Sequence, residues 1–418
     1  MPVRLRPIYY FVALLAMCSA ALGQTTRVLY SFGNGPSDGI TPNDGLVFDS
    51  VGNIYGTTQR DGTIGAGTVF ELSPRAGGGW TETVLYQFCS VPGCADGAVP
   101  EGGLVFGHSG NLYGTTAIGG TFTGGECGSL GCGTLFELSP QGGSWILTVL
   151  WDFEGSLNGD GAAPSGELAW DAAGNIYGTT GGGGSKGLFG TVFELSPVIG
   201  GGWTEAILHA FCASGPPCSD GAHPANGLSA SKSGGLSGTT PYGAFDNQWG
   251  VVYGLSPNPD GSWTERTLHR FAPQSGGQPY SGVSFDRQGN LYGTTSSGYG
   301  QAQCGGAWVI TRQSDFKASH LLFDQSGANG CTPIGGLFLD PAHNAAFGTT
   351  SKGGSFDAGT IFEIKGDKII TLYNFCQQGG CADGANPTGS LTQYGKALYG
   401  TTSQGGAFNK GTVFEITP

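Results

Sequence analysis

Few residues of this chain are placed to do chemistry, and most of those that recur do so once per repeat. Asp-Gly-x-x-Pro occurs at Asp38, Asp96, Asp160, Asp220 and Asp383. A calcium site needs several oxygens converging at one place, and one Asp per repeat is too sparse. The motif therefore reads as a turn in which Asp accepts a downstream amide, Gly takes a positive φ and Pro fixes the exit. Glu71, Glu137, Glu194, Glu363 and Glu415 recur at a second place. Acid–base catalysis wants a pair unique to one spot, in environments that split the two pKa values. A near-ring of identical Glu reads as structural. The repeated Thr pairs have no base beside them, so they are not expected to be nucleophiles.

Candidates that break the repetition are fewer. His209 and His269 stand where other units carry Tyr30, Tyr86, Trp151 and Tyr373, which points to packing. His108 and His343 fall in tight turns, whereas His223 lies in a loop beside Asp220. Trp249 closes the loop 241–249 near Asp246 and Asn247, and Trp308 stands at a third-strand position read as Val in other units. Off-pattern aromatics beside polar loops suit stacking on a sugar ring or a peptide. His223, Asp246, Asn247, Trp249 and Trp308 are accordingly the candidate ligand-binding residues. No HExxH, GxSxG or phosphate-loop motif occurs, so no catalytic residue, metal or cofactor is assigned.

The elements that must hold these residues form an array. Tyr-Gly-Thr-Thr or a close variant appears with its Gly at positions 56, 114, 178, 238, 293, 348 and 400. Seven marks at a near-regular period are a tandem repeat. Each unit has four strand-like runs, in the first unit residues 45–49, 53–58, 67–72 and 80–88. All are short, rich in β-branched and aromatic residues, and bounded by Gly, Asn, Asp or Pro. This predicts an all-β, seven-bladed β-propeller with four-stranded antiparallel blades. Residues 27–32 read as a fourth run with nothing before it, and residues 411–416 as a third run with nothing after it. The N-terminal run is expected to pair into the last blade and close the ring, hiding a sheet edge.

The YGTT…GG…GTVFEL signature resembles the GloVer tandem repeat of exported bacterial "choice-of-anchor" proteins. That resemblance implies export and a repeat fold, and it carries no activity. The blade layout is also similar to that of NHL-type propellers, which bears on fold alone.

The N-terminus reads as a signal peptide over residues 1–23. Arg4 and Arg6 precede an apolar run, and Ala21-Leu22-Gly23 offers small residues for cleavage. Lipid anchoring at Cys18 is the alternative, opposed by the bulk of Met17 before it. A secreted or periplasmic protein is expected. Removing the leader takes away two Arg and moves the net charge from −13 to −15, which repels phosphate backbones, so nucleic acid is not an expected partner. No stretch after the leader suits a transmembrane segment. Ten Cys then remain, an even number in an exported chain. The pairs expected are Cys89–Cys94, Cys127–Cys132, Cys212–Cys218, Cys376–Cys381 and, by remainder, Cys304–Cys331.

Strand order places the second-to-third-strand loops and the fourth-to-first connections on one face, with all ten Cys. The first functional reading is a monomeric, non-catalytic binding or scaffold propeller for an extracellular polysaccharide or peptide. A hydrolase or lyase at the top of the central channel is the second, and predicts His, Asp or Glu converging there from several blades. An envelope adhesion or structural protein is the third, and calls for an anchor.

Overall fold

The computed structural model describes residues 25–184, 188–244, 248–298, 304–312 and 316–418. The expected leader, Cys18, Asp246 and Asn247 lie outside these. The described chain forms seven antiparallel sheets. In blade one, inner strand Val47–Phe48 is followed by Ile54–Asp61, Thr68–Pro74 and outer strand Trp80–Gln87. A short stretch, Gly39–Pro42, also pairs with the extended second strand. The ring closes as expected: Thr25–Ser31 pairs antiparallel with Thr412–Thr417, the third strand of blade seven. Arg27 is opposite Glu415 in that register, and their side chains meet at 2.7 Å.

The blades are joined by aromatic pairs. In five blades a fully buried Phe of the third strand meets a Phe at the end of the preceding blade's outer strand. Phe32–Phe70, Phe88–Phe136, Phe153–Phe193, Phe323–Phe362 and Phe375–Phe414 have ring centroids 5.0–5.2 Å apart, edge to face. Phe211–Tyr253 and Phe271–Trp308 complete the series at 4.9 and 5.9 Å. Such pairs contribute roughly 0.5–1.5 kcal/mol each beyond the area they bury. They also explain the repeat's glycine. A Cβ on Gly56, Gly114, Gly178, Gly348 or Gly400 would lie 2.4–2.7 Å from the ring tip of the Phe in the adjacent strand, so only Gly leaves the ring its place.

The Asp-Gly junctions form a second inter-blade layer. In the structure the carboxylate turns mainly back to upstream amides, not downstream. Asp38 accepts from the N–H groups of Gly33 and Asn34 at 2.8 Å, and Asp96 from Ser90 at 2.9 Å. Asp160 accepts from Glu154 N–H and also from Gly161 N–H. The same carboxylates accept from Tyr30 (3.0 Å), Tyr86 (2.8 Å), Trp151 (3.4 Å) and Tyr373 (2.8 Å), and His209 lies 3.1 Å from Asp220. A register shift recurs beside each of these five outer-strand side chains. The extra residue re-aims the side chain toward the junction. Turn-forming and inter-blade bonding are thus one function of the same Asp.

Three junctions set a second carboxyl against the first. Glu82 faces Asp38, and burial followed by the Asp38 charge pushes it up to about 7. Glu205 hydrogen-bonds Asp160 and lies near Glu154; burial first, then these neighbours, push it up to about 9. Glu265 lies near Asp220, His209 and Arg270 and is raised chiefly by burial. Two carboxyls can share a hydrogen bond only if one keeps its proton. An acid whose folded pKa is raised binds more protons folded than unfolded, so stability is greatest below the unfolded pKa and falls as pH rises toward the folded one. The Tm is therefore expected to fall as the pH is raised from about 5 to about 8. Glu205→Gln, which keeps a donor facing Asp160, should flatten that slope in a calorimetric series.

Candidate functional site

Pro-x-x-x-Leu, or Val in blade five, leads from each junction into an inner strand, and the three intervening residues form the rim of the central channel. Glycine dominates because adjacent backbones touch there. A Cβ on Gly335 would lie 2.5 Å from Gly389 O, and one on Gly389 2.6 Å from Asp44 O. The channel encloses about 740 Å³, and every blade contributes to its lining. That volume falls in the range of small-molecule sites.

Three consecutive blades break the glycine pattern with an acid, each at a different one of the three rim positions. Blade one supplies Asp44, blade two Glu101 and blade three Glu167. Asp44 is fixed where the ring closes: its carbonyl accepts from Thr401 at 3.1 Å, and Thr388 donates to the side chain of neighbouring Asn43 at 2.6 Å. Its carboxylate accepts from the Gly45 N–H at 2.7 Å and from the Gly103 N–H. Glu167 reaches from blade three across blade two to the same place. A Cβ on Gly103 would lie 3.0 Å from Glu167 Cγ and 3.5 Å from Asp44 Cγ, and one on Gly45 would lie 3.0 Å from Glu167 Oε1.

Protein packed around the channel desolvates these groups even where their tips meet channel water. Desolvation first, then the Glu167 charge, push Asp44 up to about 7. Desolvation raises Glu167 and Glu101. Near neutrality the Asp44–Glu167 pair therefore holds a proton. Such a pair can hydrogen-bond hydroxyls, attract a cation or exchange a proton. Among the described residues no three His, Cys, Asp or Glu are grouped to hold a metal ion.

The residues singled out in the sequence lie elsewhere. His223 places Nδ1 2.7 Å from Gly181 O, and its ring stands edge-on to Phe189 and Tyr242 at 5.6 and 5.8 Å. Tyr242 shares a 2.8 Å hydrogen bond with Tyr280, which occupies the rim position that Glu101 holds in blade two. A half-buried aromatic ridge thus runs from blade three to the rim of blade five. Trp249 packs on the next junction, where a Cβ on Gly277 would lie 2.5 Å from its Cε3. Trp308 is 2% exposed, and its indole N–H donates to Thr294 O at 3.2 Å. It fills the place of Phe70, not of Val69, in the inter-blade aromatic series.

All five expected disulfides are formed. Five bonds favour an extracellular or periplasmic setting, and among the described residues no helix is long and apolar enough to cross a membrane. Bridges such as Ala98 with Ile118 and Ala385 with Gln404 tie the fourth-to-first connections to the second-to-third loops, on one face. The rim acids escape a reading that starts each inner strand at Gly103 or Gly227. Setting the seven Pro-x-x-x-Leu/Val windows side by side exposes them.

Residues 230–418 match the Gloeobacter/Verrucomicrobia repeat, so that part of the chain carries the tandem repeat its motif resembles. No curated protein sequence matches the chain. Among solved structures, PorZ, an essential surface component of the type-IX secretion system of Porphyromonas gingivalis, is similar with a TM-score of 0.53 at 14% identity. The match covers 92% of this chain and 47% of PorZ, so the chain spans about half that protein's length. A luciferin-regenerating enzyme is similar with a TM-score of 0.44 at 13% identity, over 95% of this chain and 96% of that one. At these identities PorZ speaks to the fold alone, and the second likeness carries no argument.

Gly103 has no positive φ and its neighbours are flexible side chains. Gly103→Ala should therefore fold with a nearly unchanged Tm while displacing Glu167 from Asp44, as a crystal structure of the variant would reveal.

Proposed function

We propose that this protein is an exported, non-catalytic binding propeller whose ligand, a polysaccharide or peptide, docks on the disulfide-bearing face and enters the channel mouth. The observation that carries this reading is the acid trio Asp44, Glu101 and Glu167, drawn from three consecutive blades onto a rim whose other residues are glycine and uncharged side chains, Tyr280 and Ile334 among them. Binding needs polar groups that fix orientation within a concave site, and the trio makes a nearly symmetric ring asymmetric. The ridge of Phe189, His223, Tyr242 and Tyr280 offers faces on which a sugar or peptide segment can stack. His223 and Trp249 retain ligand-side roles in this reading, as do Asp246 and Asn247 in the loop that Trp249 ends, while buried Trp308 supports the fold. Export follows from residues 1–23 acting as a cleaved leader, and disulfides then hold the binding face rigid without partner subunits.

Titration calorimetry with neutral, acidic and basic oligosaccharides and peptides tests the reading. A charge-assisted hydrogen bond contributes about 1.5–3 kcal/mol, so Asp44→Asn with Glu167→Gln should weaken the best ligand by about tenfold or more. Equal affinity in the variant, or no ligand among any of these classes, contradicts it. A second reading, a hydrolase or lyase, is favoured by one feature: two adjoining carboxyls that share a proton, as acid–base catalysis requires. Turnover of a bound ligand, abolished by Glu167→Gln with binding retained, would move the assignment to that reading.

A further inference from the structure

The second-to-third-strand loops carry a feature that neither the fold nor the channel needs. Three residues before the Gly that opens the third strand, four blades place a large apolar side chain at the loop tip: Ile64, Leu130, Phe356 and Phe408. Each is about half exposed, at 55, 57, 53 and 46%. In the other three blades this position is Gly187, Asn247 or Ala302, outside the described set, so the large apolar tip belongs to blades one, two, six and seven. Leu157, Val91 and Leu188 add exposed apolar side chains to the same face. Single exposed apolar residues are ordinary, but the same exposure at one repeated position makes a patterned surface, which marks an interaction site.

We propose that the disulfide-bearing face is a docking surface for a polypeptide partner that inserts a Lys or Arg side chain into the channel mouth while its flanking apolar residues cover the loop tips. This rests on the binding reading given above and names the ligand class. Charge complementarity sets the anchor: Asp44, Glu101 and Glu167 concentrate negative charge at the mouth, and a cation there replaces the proton that the Asp44–Glu167 pair otherwise needs. On the face itself Arg60, Lys352 and Lys410 stand among the acids Asp61, Glu126 and Asp357, whereas, among the described residues, the channel lining sets Asp44, Glu101 and Glu167 together with no Lys, Arg or His, so the unopposed negative charge is at the mouth. The aliphatic tips argue for a polypeptide over a glycan, because Ile64, Leu130 and Leu157 have no flat ring for a sugar to stack on. A central charged anchor within a zone that excludes water is how protein interfaces concentrate their energy.

Random peptides displayed on phage, selected on the oxidised mature chain, supply the probe. The selected peptide is then measured by fluorescence anisotropy against wild type, Glu167→Gln, and the double variant Phe356→Ser with Phe408→Ser. Partly deacetylated chito-oligosaccharide and neutral cello-oligosaccharide serve as comparison ligands. Selected sequences should carry a basic residue between apolar ones and lose about tenfold or more in affinity on both variants. The loop variant alters only exposed tips and should keep the wild-type Tm. Peptides without a basic residue, peptides indifferent to the loop variant, or no selected peptide at all overturn the proposal. An oligosaccharide that binds and is weakened by Glu167→Gln alone, with no peptide recovered, overturns this proposal and leaves the channel-binding reading standing. If none of the probes binds, both fall.

Discussion

Seven aromatic pairs, one across each blade boundary, are the contact on which the rest of this structure depends. Each needs a Phe, or Tyr253 or Trp308 in its place, on a third strand, and a Phe at the end of the preceding outer strand. Each also needs a neighbour without a side chain, which is why glycine sits in every Tyr-Gly-Thr-Thr mark. The most visible motif in the sequence is therefore the imprint of the least visible contact. Because Phe32 belongs to the N-terminal strand and Phe70 to blade one, the closing boundary uses the same pair as the internal ones.

Closure then sets the geometry of the channel. The strand Thr25–Ser31 fills the outer place in blade seven, and the chain passes from there through Asp38 to Pro42 and the rim. A Cβ on Gly411 would lie 2.6 Å from Pro42 Cδ, the same close contact that Gly133 makes with Pro164 at 2.7 Å and Gly359 with Pro387 at 2.7 Å. Asp44 is thus held between the first and last blades, and Glu167 comes to it from two blades away. Positions 44 and 167 thus meet across blades one to three, with the Asp44 backbone braced from blade seven. The carboxyl pairs at the blade boundaries make that ring an assembly favoured by protons, consistent with a chain that is acidic overall yet buries acids at its seams.

What the sequence made legible was whatever repeats. Strand count, closure and the pairing of Cys304 with Cys331 all follow from comparing units, because a repeated fold writes the same constraint seven times. The Asp of the junctions was legible as a turn former, but its bond to Tyr86 or Tyr373 was not, since that bond depends on a bulge which aims an outer-strand ring across a blade boundary. Trp308 looked like a departure because substitution of Trp for Phe is conspicuous in a string and unremarkable in a core with room for it. The rim acids were hidden by the opposite effect. Asp44, Glu101 and Glu167 occupy three different columns of the repeat, so no column reads as acidic, and only the curvature of the ring brings two of them together.

The meeting of Asp44 and Glu167 is tested most directly by the titration of the Asp44 side-chain carboxyl, followed by carbon NMR on the folded protein and on Glu167→Gln. A midpoint near 7 is expected in the wild-type protein. In the variant the midpoint should move down yet stay above the ordinary range, because burial remains when the neighbouring charge is gone. An Asp44 that titrates as an ordinary aspartate, in step with solvent and indifferent to residue 167, would mean that the rim does not bring the two carboxyls together, and the binding site built on them would not exist.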